Sequence, residues 1–418
     1  MVKEKIFRSS GYESIIREFE KQIANYIGTK HAILCSSGRS AIRFSLLALE
    51  IGKGDEVIVP DYSGVIIPTI VLSTGASPIT CDVDRETYSL SPRHFKKATS
   101  ANTKAVIFTH LYGVPADPEP ILEISREEGI IFIDDAAQAL GASIKGKMAG
   151  SFGDVGILSF NKFLDIPFGG AILTNNDEVA YKITLIRERY QEKPIFPFFA
   201  YWLMDILGIH SKKMVKAVCL IDNYLNRVRA MARGYSLLET NGEWNLAPHI
   251  IYLWKSGMLS RNLINQFLAL DRKFWHRRRL EKLEIFELKR EFDLLEENLK
   301  KRRFIAKIFH EKLNEEIIAR AVTRKDINSS YMKFPVLFSD KKKRLKCIND
   351  LIRNDIVVNC LYKPLHTIRF LASLNNNDLS FNESIYLSDH LIPLPVNPSM
   401  TMEEIEEIIS KVNLHVGN

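Results

Sequence analysis

The sequence predicts an α/β fold: a mostly parallel central sheet with helices on both faces, followed by a smaller C-terminal α+β domain. Three observations carry this. From about residue 31, apolar runs alternate with helical patterns, the order that builds parallel sheets. The runs are nearly continuous rather than alternating, as in strands buried on both faces. After about residue 315 the pattern becomes a shorter mixture of strands and helices.

The elements follow in order. HAILCSS reads as a strand and RSAIRFSLLALEI as a helix. DEVIVP is a strand and VIIPTIVLSTG a helix. SPITCDVD, AVIFTHLYG and IIFIDDAAQ are strands, the last two separated by the helical PEPILEISREEG. Two further apolar segments flank Lys162 in SFNKFLDIPFGGAILTNND, and DEVAYKITLIRERYQ is helical. PIFPFFAYWLMDILGI, residues 194–209, is unusually aromatic. A charged long-helix region is expected over about 262–315. The tail then gives strands at YMKFPVLF and IVVNCLY and helices at KKKRLKCINDLIRN and MEEIEEIISKV. The division expected is a large α/β domain over 1–186 with a helical arm over 1–30. An aromatic-rich insertion over 187–260 follows, then a long helix with the small domain over 261–418.

Composition bounds the function. The chain has 418 residues, 46% hydrophobic and 26% charged, ordinary values for a globular protein. Its net charge of +7 is not one patch: WHRRRL and LKKRRF lie in Glu-rich helical surroundings and read as solvated faces. No nucleic-acid-binding signature accompanies them. Five dispersed cysteines form neither a CxxC nor a metal-like spacing, which fits a reducing cytosol. No signal-peptide core opens the sequence. A cytoplasmic protein without a metal is therefore expected.

In parallel sheets ligands bind at the carboxyl ends of the strands, and three groups fall there. SSGRSA (36–41) places a small-residue turn at a helix start, where backbone N–H groups and Gly38 make an anion site and Ser37 and Ser40 add hydroxyls. An ordinary N-cap would look the same. IDDAAQALGA (133–142) ends a buried strand in Asp134 and Asp135, which face opposite sides if the strand persists, with Gln138 following. A strand-end or cap role for one of them is the plainer alternative, but a buried carboxylate needs a cation. No Lys or Arg is adjacent in sequence, so a protonated pyridine nitrogen would serve. Lys162 is the third group: desolvated, it becomes a nucleophile toward carbonyls; otherwise it is a surface lysine. A phosphate cradle, a carboxylate for a pyridinium and an amine for an aldehyde are together the handles of pyridoxal 5′-phosphate.

With these motifs the chain resembles the DegT/DnrJ/EryC1/StrS family of sugar aminotransferases, almost end to end. The resemblance rests on GDEVIVP, HLYGVPAD, DDAAQALGA, GSFGDVGILSF and KFLDIPFGGAILTNND, and more weakly on YKPLH and LSDHLIPLPVNPSMTMEEIEEIISKV. It implies the fold type I architecture of enzymes that use this cofactor. It also implies a keto-sugar acceptor linked to a nucleotide, an amino donor such as L-glutamate, and a homodimer. By resemblance Lys162 matches the lysine that links to the cofactor, Asp135 the acid at the pyridine nitrogen, and Gln138 the residue beside the phenolic oxygen. Gly38, Arg39 and Ser40 occupy the phosphate turn, and Ser159 matches a serine that also touches phosphate.

Departures accompany the match. The family usually has Thr where Arg39 stands, an aromatic ring where Gly64 stands (Tyr62 is the nearby substitute), and His where Leu140 stands. The segment from Ser159 to Lys162 is about two residues shorter than in the family. Two other readings follow from these departures: a non-catalytic or regulatory member, and a sugar dehydratase. The dehydratases carry histidine in place of the lysine, against Lys162. The aromatic part of the insertion, 195–209, is shorter than the ~20 residues needed to cross a bilayer. It reads as a core helix or dimer-covering flap, or as an interfacial segment touching membrane.

Overall fold

A computed structural model describes residues 2–166, 168–189, 280, 282–358, 362–368, 371 and 379–416. The aromatic segment 195–209 lies outside the described residues, as does most of the insertion.

The centre is a seven-stranded sheet. Its strands are β1 (His31–Cys35), β2 (Glu56–Pro60), β3 (Ser77–Cys81), β4 (Thr103–Thr109), β5 (Ile131–Asp135), β8 (Val155–Ser159) and β9 (Gly170–Thr174), ordered β1-β9-β8-β5-β4-β2-β3. From β8 to β3 every neighbour is parallel; β9 runs antiparallel to both β8 and β1. Side-chain alternation then feeds two cores. Val57, Val59, Ile107, Ile133 and Ile157 face helices α2 (Gly38–Ala48), α3 (Ile66–Thr74) and α6 (Asp177–Arg189). Ile58, Val106, Phe108 and Phe132 face α4 (Pro92–Ala98) and α5 (Glu119–Glu128). On that second face, Leu34, Leu158 and Leu173 meet α1 (Val2–Ile27) and α7 (Lys282–Asp293). Ile16, Phe19, Ile23 and Ile27 form the buried stripe of α1, a helical spacing; Phe19 meets Phe292 edge-on at 5.5 Å.

The expected long helix is interrupted. α7 ends at Asp293 and α8 (Leu295–Lys312) begins after Leu294, a turn residue that is 43% exposed. Phe292 before the break and Leu295 and Leu299 after it pack in the α1 core, while Ile305 and Phe309, further along α8, enter the C-terminal one. That C-terminal core lies between the antiparallel pair β11 (Lys333–Leu337) and β12 (Leu391–Pro395) and helices α8, α9 (Lys341–Arg353), α10 (Asn382–His390) and α11 (Met402–Leu414). The strand expected over 356–362 has no ladder at Ile356–Val358; residues 359–361 lie outside the described residues. Val358 is buried instead as a packing residue of that core. Short strands β6 (Ser143–Ile144), β7 (Lys147–Met148) and β10 (Ile327–Asn328) make a third sheet in the order β10-β6-β7.

Two carboxylates tie the layers together. Asp82, after β3, accepts the first N–H groups of α10 from Glu383 at 3.0 Å and Ser384 at 2.9 Å. Asp61, after β2, holds the segment at 365–366 (below). Among the described residues no helix is long and apolar enough to cross a membrane.

Candidate active site

The site lies at the carboxyl ends of β1, β5 and β8. β1 runs straight into α2 through Ser36 and Ser37. Ser37 is the N-cap, its Oγ accepting from the Ser40 N–H at 3.2 Å. The Ser40 hydroxyl lies 2.9 Å from Ser36 Oγ and 3.1 Å from Ser37 Oγ. The α2 start therefore carries its positive helix end and a hydroxyl cluster on one small turn.

Glycines seat this turn against the sheet. A Cβ on Gly38 would lie 2.9 Å from Ser159 Cβ and 3.1 Å from its Oγ. A Cβ on Gly170 would lie 2.5 Å from the Ser37 carbonyl carbon and 2.6 Å from the Gly38 nitrogen. Gly169, at φ +92°, donates to the Ser36 carbonyl at 2.7 Å. The Gly169-Gly170 pair thus allows β9 to press on the backbone of residues 36–38. Ser159 lies at the same turn, with its hydroxyl donating to Asn161 at 2.8 Å.

At the end of β5 the two neighbouring acids part. Asp134 is fully buried and accepts from His110 Nε2 at 2.8 Å, the Gly150 N–H at 2.7 Å and the Phe152 N–H at 2.9 Å. His110 Nδ1 accepts the Ala116 N–H at 3.0 Å, so the ring proton sits on Nε2 and is donated to Asp134. Asp134 is a structural anchor for the 150–152 turn. Asp135 points to the other side and accepts the Ala137 N–H at 3.0 Å. Burial pushes its carboxyl up to about 6, helped by the Asp134 charge and opposed by the Ala137 N–H, His110 and Lys162.

Lys162 ends a 3₁₀ turn, Phe160–Lys162, in a loop closed by the Phe160 N–H to Gly169 carbonyl bond at 3.0 Å. Phe163, Leu164, Ile166 and Phe168 of this loop are buried in the α1 core. The flanking packing leaves the lysine side chain largely desolvated. Burial, then the charges of Arg39 and Lys333, lower its ammonium to about 8, against the pull of Asp135. Lys162, Asp135 and Arg39, chosen from sequence, are therefore electrostatic neighbours in space.

Gln138 is held at both ends: its Oε1 accepts the Tyr112 N–H at 3.2 Å and its Nε2 donates to Tyr362 Oη. Burial raises the Tyr362 hydroxyl to about 12, so it stays protonated. Tyr62 is 2% exposed. Its hydroxyl lies 2.9 Å from Tyr112 Oη and its ring meets Tyr362 edge-on at 5.5 Å. Tyr362, His110, Tyr112 and Lys333 received no role in the sequence reading. HLYG and YKPLH were visible as motifs, but nothing in their spacing shows that residues 138 and 362 touch. Among the described residues no cluster of potential metal ligands occurs.

Comparison with known proteins agrees with this architecture. The model of the DegT/DnrJ/EryC1/StrS aminotransferase family matches residues 3–212 and 254–413. A GDP-perosamine synthase of Caulobacter vibrioides is 41% identical over 199 residues, 47% of this chain and 52% of that protein. A UDP-N-acetyl-3-dehydro-alpha-D-glucosamine 3-aminotransferase of Acidithiobacillus ferrooxidans is 39% identical over the same shares. The chain thus spans about half the length of these two relatives. A GDP-perosamine synthase of Escherichia coli O157:H7 is 33% identical over 261 residues, 59% of this chain and 70% of that protein. A DegT DnrJ EryC1 StrS aminotransferase from Brucella abortus superposes with a TM-score of 0.69 at 21% identity, covering 97% of this chain and 91% of its own. The aminotransferase TlmJ from Streptoalloteichus hindustanus gives 0.70 at 20%, covering 96% and 90%. At those identities the likeness is one of fold, and it is the fold expected from the motifs. With the family model matching both the sheet and the C-terminal core, the chain belongs to the DegT/DnrJ/EryC1/StrS aminotransferase family.

Proposed function

We propose that this protein is a pyridoxal 5′-phosphate-dependent aminotransferase that passes an amino group, from a donor such as L-glutamate, to a nucleotide-linked keto sugar. The observation that carries the reading is the pairing in one site of a desolvated amine, Lys162, with a buried carboxylate, Asp135, beside a glycine turn at a helix start. Relatives named for GDP- and UDP-sugar chemistry support the acceptor class. A cytoplasmic homodimer completes the reading, with the chain divided near residues 186 and 260 as its composition suggests.

The residues fit the cofactor. Gly38, Arg39, Ser40 and Ser159 would hold its phosphate, in a cradle that a Cβ at position 38 would fill. Asp135 would face the ring nitrogen, Gln138 the phenolic oxygen, and Lys162 the aldehyde carbon. Tyr62 would buttress the ring wall through Tyr362. When bound, pyridoxal phosphate supplies an electron sink for the carbon that bears the amino group. Asp135, ionised above about pH 6, holds a positive charge opposite it. Lys162, lowered to about 8, has an appreciable neutral fraction near neutral pH. Its Nζ would take the proton from the donor's α-carbon and give it to the cofactor's former aldehyde carbon, acting as base and then acid.

The test is direct. The protein is loaded with pyridoxal phosphate and L-glutamate is added. Loss of the visible band with release of one equivalent of keto acid supports the reading, and a panel of GDP- and UDP-linked keto sugars then identifies the acceptor. A protein that takes up no cofactor overturns it. That result would favour a regulatory role, as for the pleiotropic regulatory protein of Geobacillus stearothermophilus, 37% identical over 261 residues, 59% of this chain and 68% of that protein. A sugar dehydratase would return a deoxygenated sugar carrying no new amino group.

A further inference from the structure

One buried carboxylate fastens a distant segment to the rim of the site. Asp61, at the end of β2, is fully buried. Its Oδ1 accepts the His366 N–H at 2.7 Å, its Oδ2 pairs with His366 Nδ1 at 2.7 Å, and its carbonyl accepts the Leu365 N–H at 2.9 Å. The imidazole of His366 in turn stacks on Phe381, with centroids 4.2 Å apart and planes 12° apart. A strap from a remote part of the sequence is therefore held at one point by three hydrogen bonds and a ring.

Four residues earlier, the same strap delivers Tyr362. Its ring lies edge-on to Tyr62, the residue after Asp61, and 6.0 Å from Tyr112. It also passes over Gly64, where a Cβ would be 3.9 Å from Tyr362 Cε1. Its hydroxyl accepts from Gln138 Nε2, while Gln138 Oε1 accepts the Tyr112 N–H. A backbone N–H can only donate, so this amide cannot turn end for end. With one Nε2 hydrogen on Tyr362, the other remains for the site.

We propose that Asp61 is a positioning residue: through His366 it sets Tyr362, and Tyr362 with Tyr112 locks Gln138 as a hydrogen-bond donor into the site. The inference rests on the cofactor reading above, in which Gln138 lies beside the phenolic oxygen.

The experiment uses the full chain loaded with pyridoxal phosphate and reads two quantities: the cofactor dissociation constant by fluorescence titration, and the wavelength of the visible absorption maximum. Tyr362→Phe removes only the hydroxyl. It is expected to weaken binding roughly 3- to 10-fold, the size of one hydrogen bond, and to move the maximum. Asp61→Ala should weaken binding at least as much. Asp61→Asn should restore it, because the amide oxygen accepts the His366 N–H and its nitrogen donates to Nδ1 of the other tautomer. Asp61→Ala with Tyr362→Phe should be no weaker than Asp61→Ala alone. If Asp61→Ala does not fold, His366→Ala, at a partly exposed position, breaks the same link and should act in the same direction. Wild-type binding and absorbance in both Tyr362→Phe and His366→Ala would overturn the inference while leaving the cofactor reading intact. An Asn variant as damaged as Ala would show that charge, not position, matters, and would also overturn it. A wild-type protein that binds no cofactor would overturn both, and is told apart by that alone.

Discussion

Substituting Gly170 by Ala should damage stability and cofactor binding together. The added Cβ would meet three backbone atoms: the Ser37 carbonyl carbon at 2.5 Å, the Gly38 nitrogen at 2.6 Å and the Leu158 oxygen at 2.7 Å. Comfortable carbon contacts lie near 3.5–4.0 Å, so strand and turn must separate by about 1 Å. Overpacking typically costs about 1–3 kcal/mol, and here no flexible side chain can yield, so about 3 kcal/mol is expected. Gly38→Ala is the control. Its closest contacts are Ser159 Cβ at 2.9 Å and Oγ at 3.1 Å, side-chain atoms on a neighbouring strand. It should cost about 1–2 kcal/mol, and Ser159→Gly should recover much of that. Urea unfolding gives the stability change, and pyridoxal phosphate titration reports on the turn. A Gly170→Ala protein within about 0.5 kcal/mol of wild type, with unchanged affinity, would refute the argument that the glycine pair exists to seat the phosphate turn.

The other expectations concern charge. Cofactor uptake should rise with pH in two steps, as Asp135 loses its proton near 6 and as Lys162 loses its own near 8; a flat profile over that range would contradict both assignments. In stability the signs are opposite. Between about 8 and the ordinary lysine value of 10.5 the unfolded chain binds the extra proton, so the Lys162 contribution grows with pH. Between 3.8 and about 6 the folded chain does so through Asp135, so that contribution falls as pH rises. Arg39→Gln or Lys333→Met removes a like charge and should move the uptake midpoint upward. Lys162→Ala should abolish the visible band and keto-acid release, and near-normal turnover would mean the wrong amine was chosen. The neighbouring acids should separate cleanly. Asp134→Ala leaves the Gly150 and Phe152 N–H groups without their acceptor and should cost about 3 kcal/mol, read as a fall in urea midpoint. Asp135→Asn should fold normally and lose most of its rate.

The large sheet was legible because its strands are uninterrupted apolar runs, and the three strand-end groups because parallel sheets put ligands there. Period and composition could not reveal the helix break at Leu294, since the residues on either side keep a helical pattern and Phe292, Leu295 and Leu299 all serve the same core. Val358 misled for a related reason: an apolar β-branched triplet reads as a strand, but here it serves packing without a ladder. The wall of the site was least visible. Gln138 and Tyr362 lie 224 residues apart, and only the folded chain brings Asp61 to His366. The role of Gly169-Gly170 was hidden too, because close backbone approach leaves no periodic trace in a sequence.

The loop that bears Lys162 is a plug, with four of its apolar side chains sunk into the core beneath it and its base stitched shut by main-chain bonds. Such packing opposes backbone movement at the described residues of the loop. Whatever travel a turnover demands between successive proton positions must come from rotation about the single bonds of the lysine's own four-carbon stem, so the reach of that side chain, and not backbone breathing, limits how far apart donor and acceptor atoms can sit.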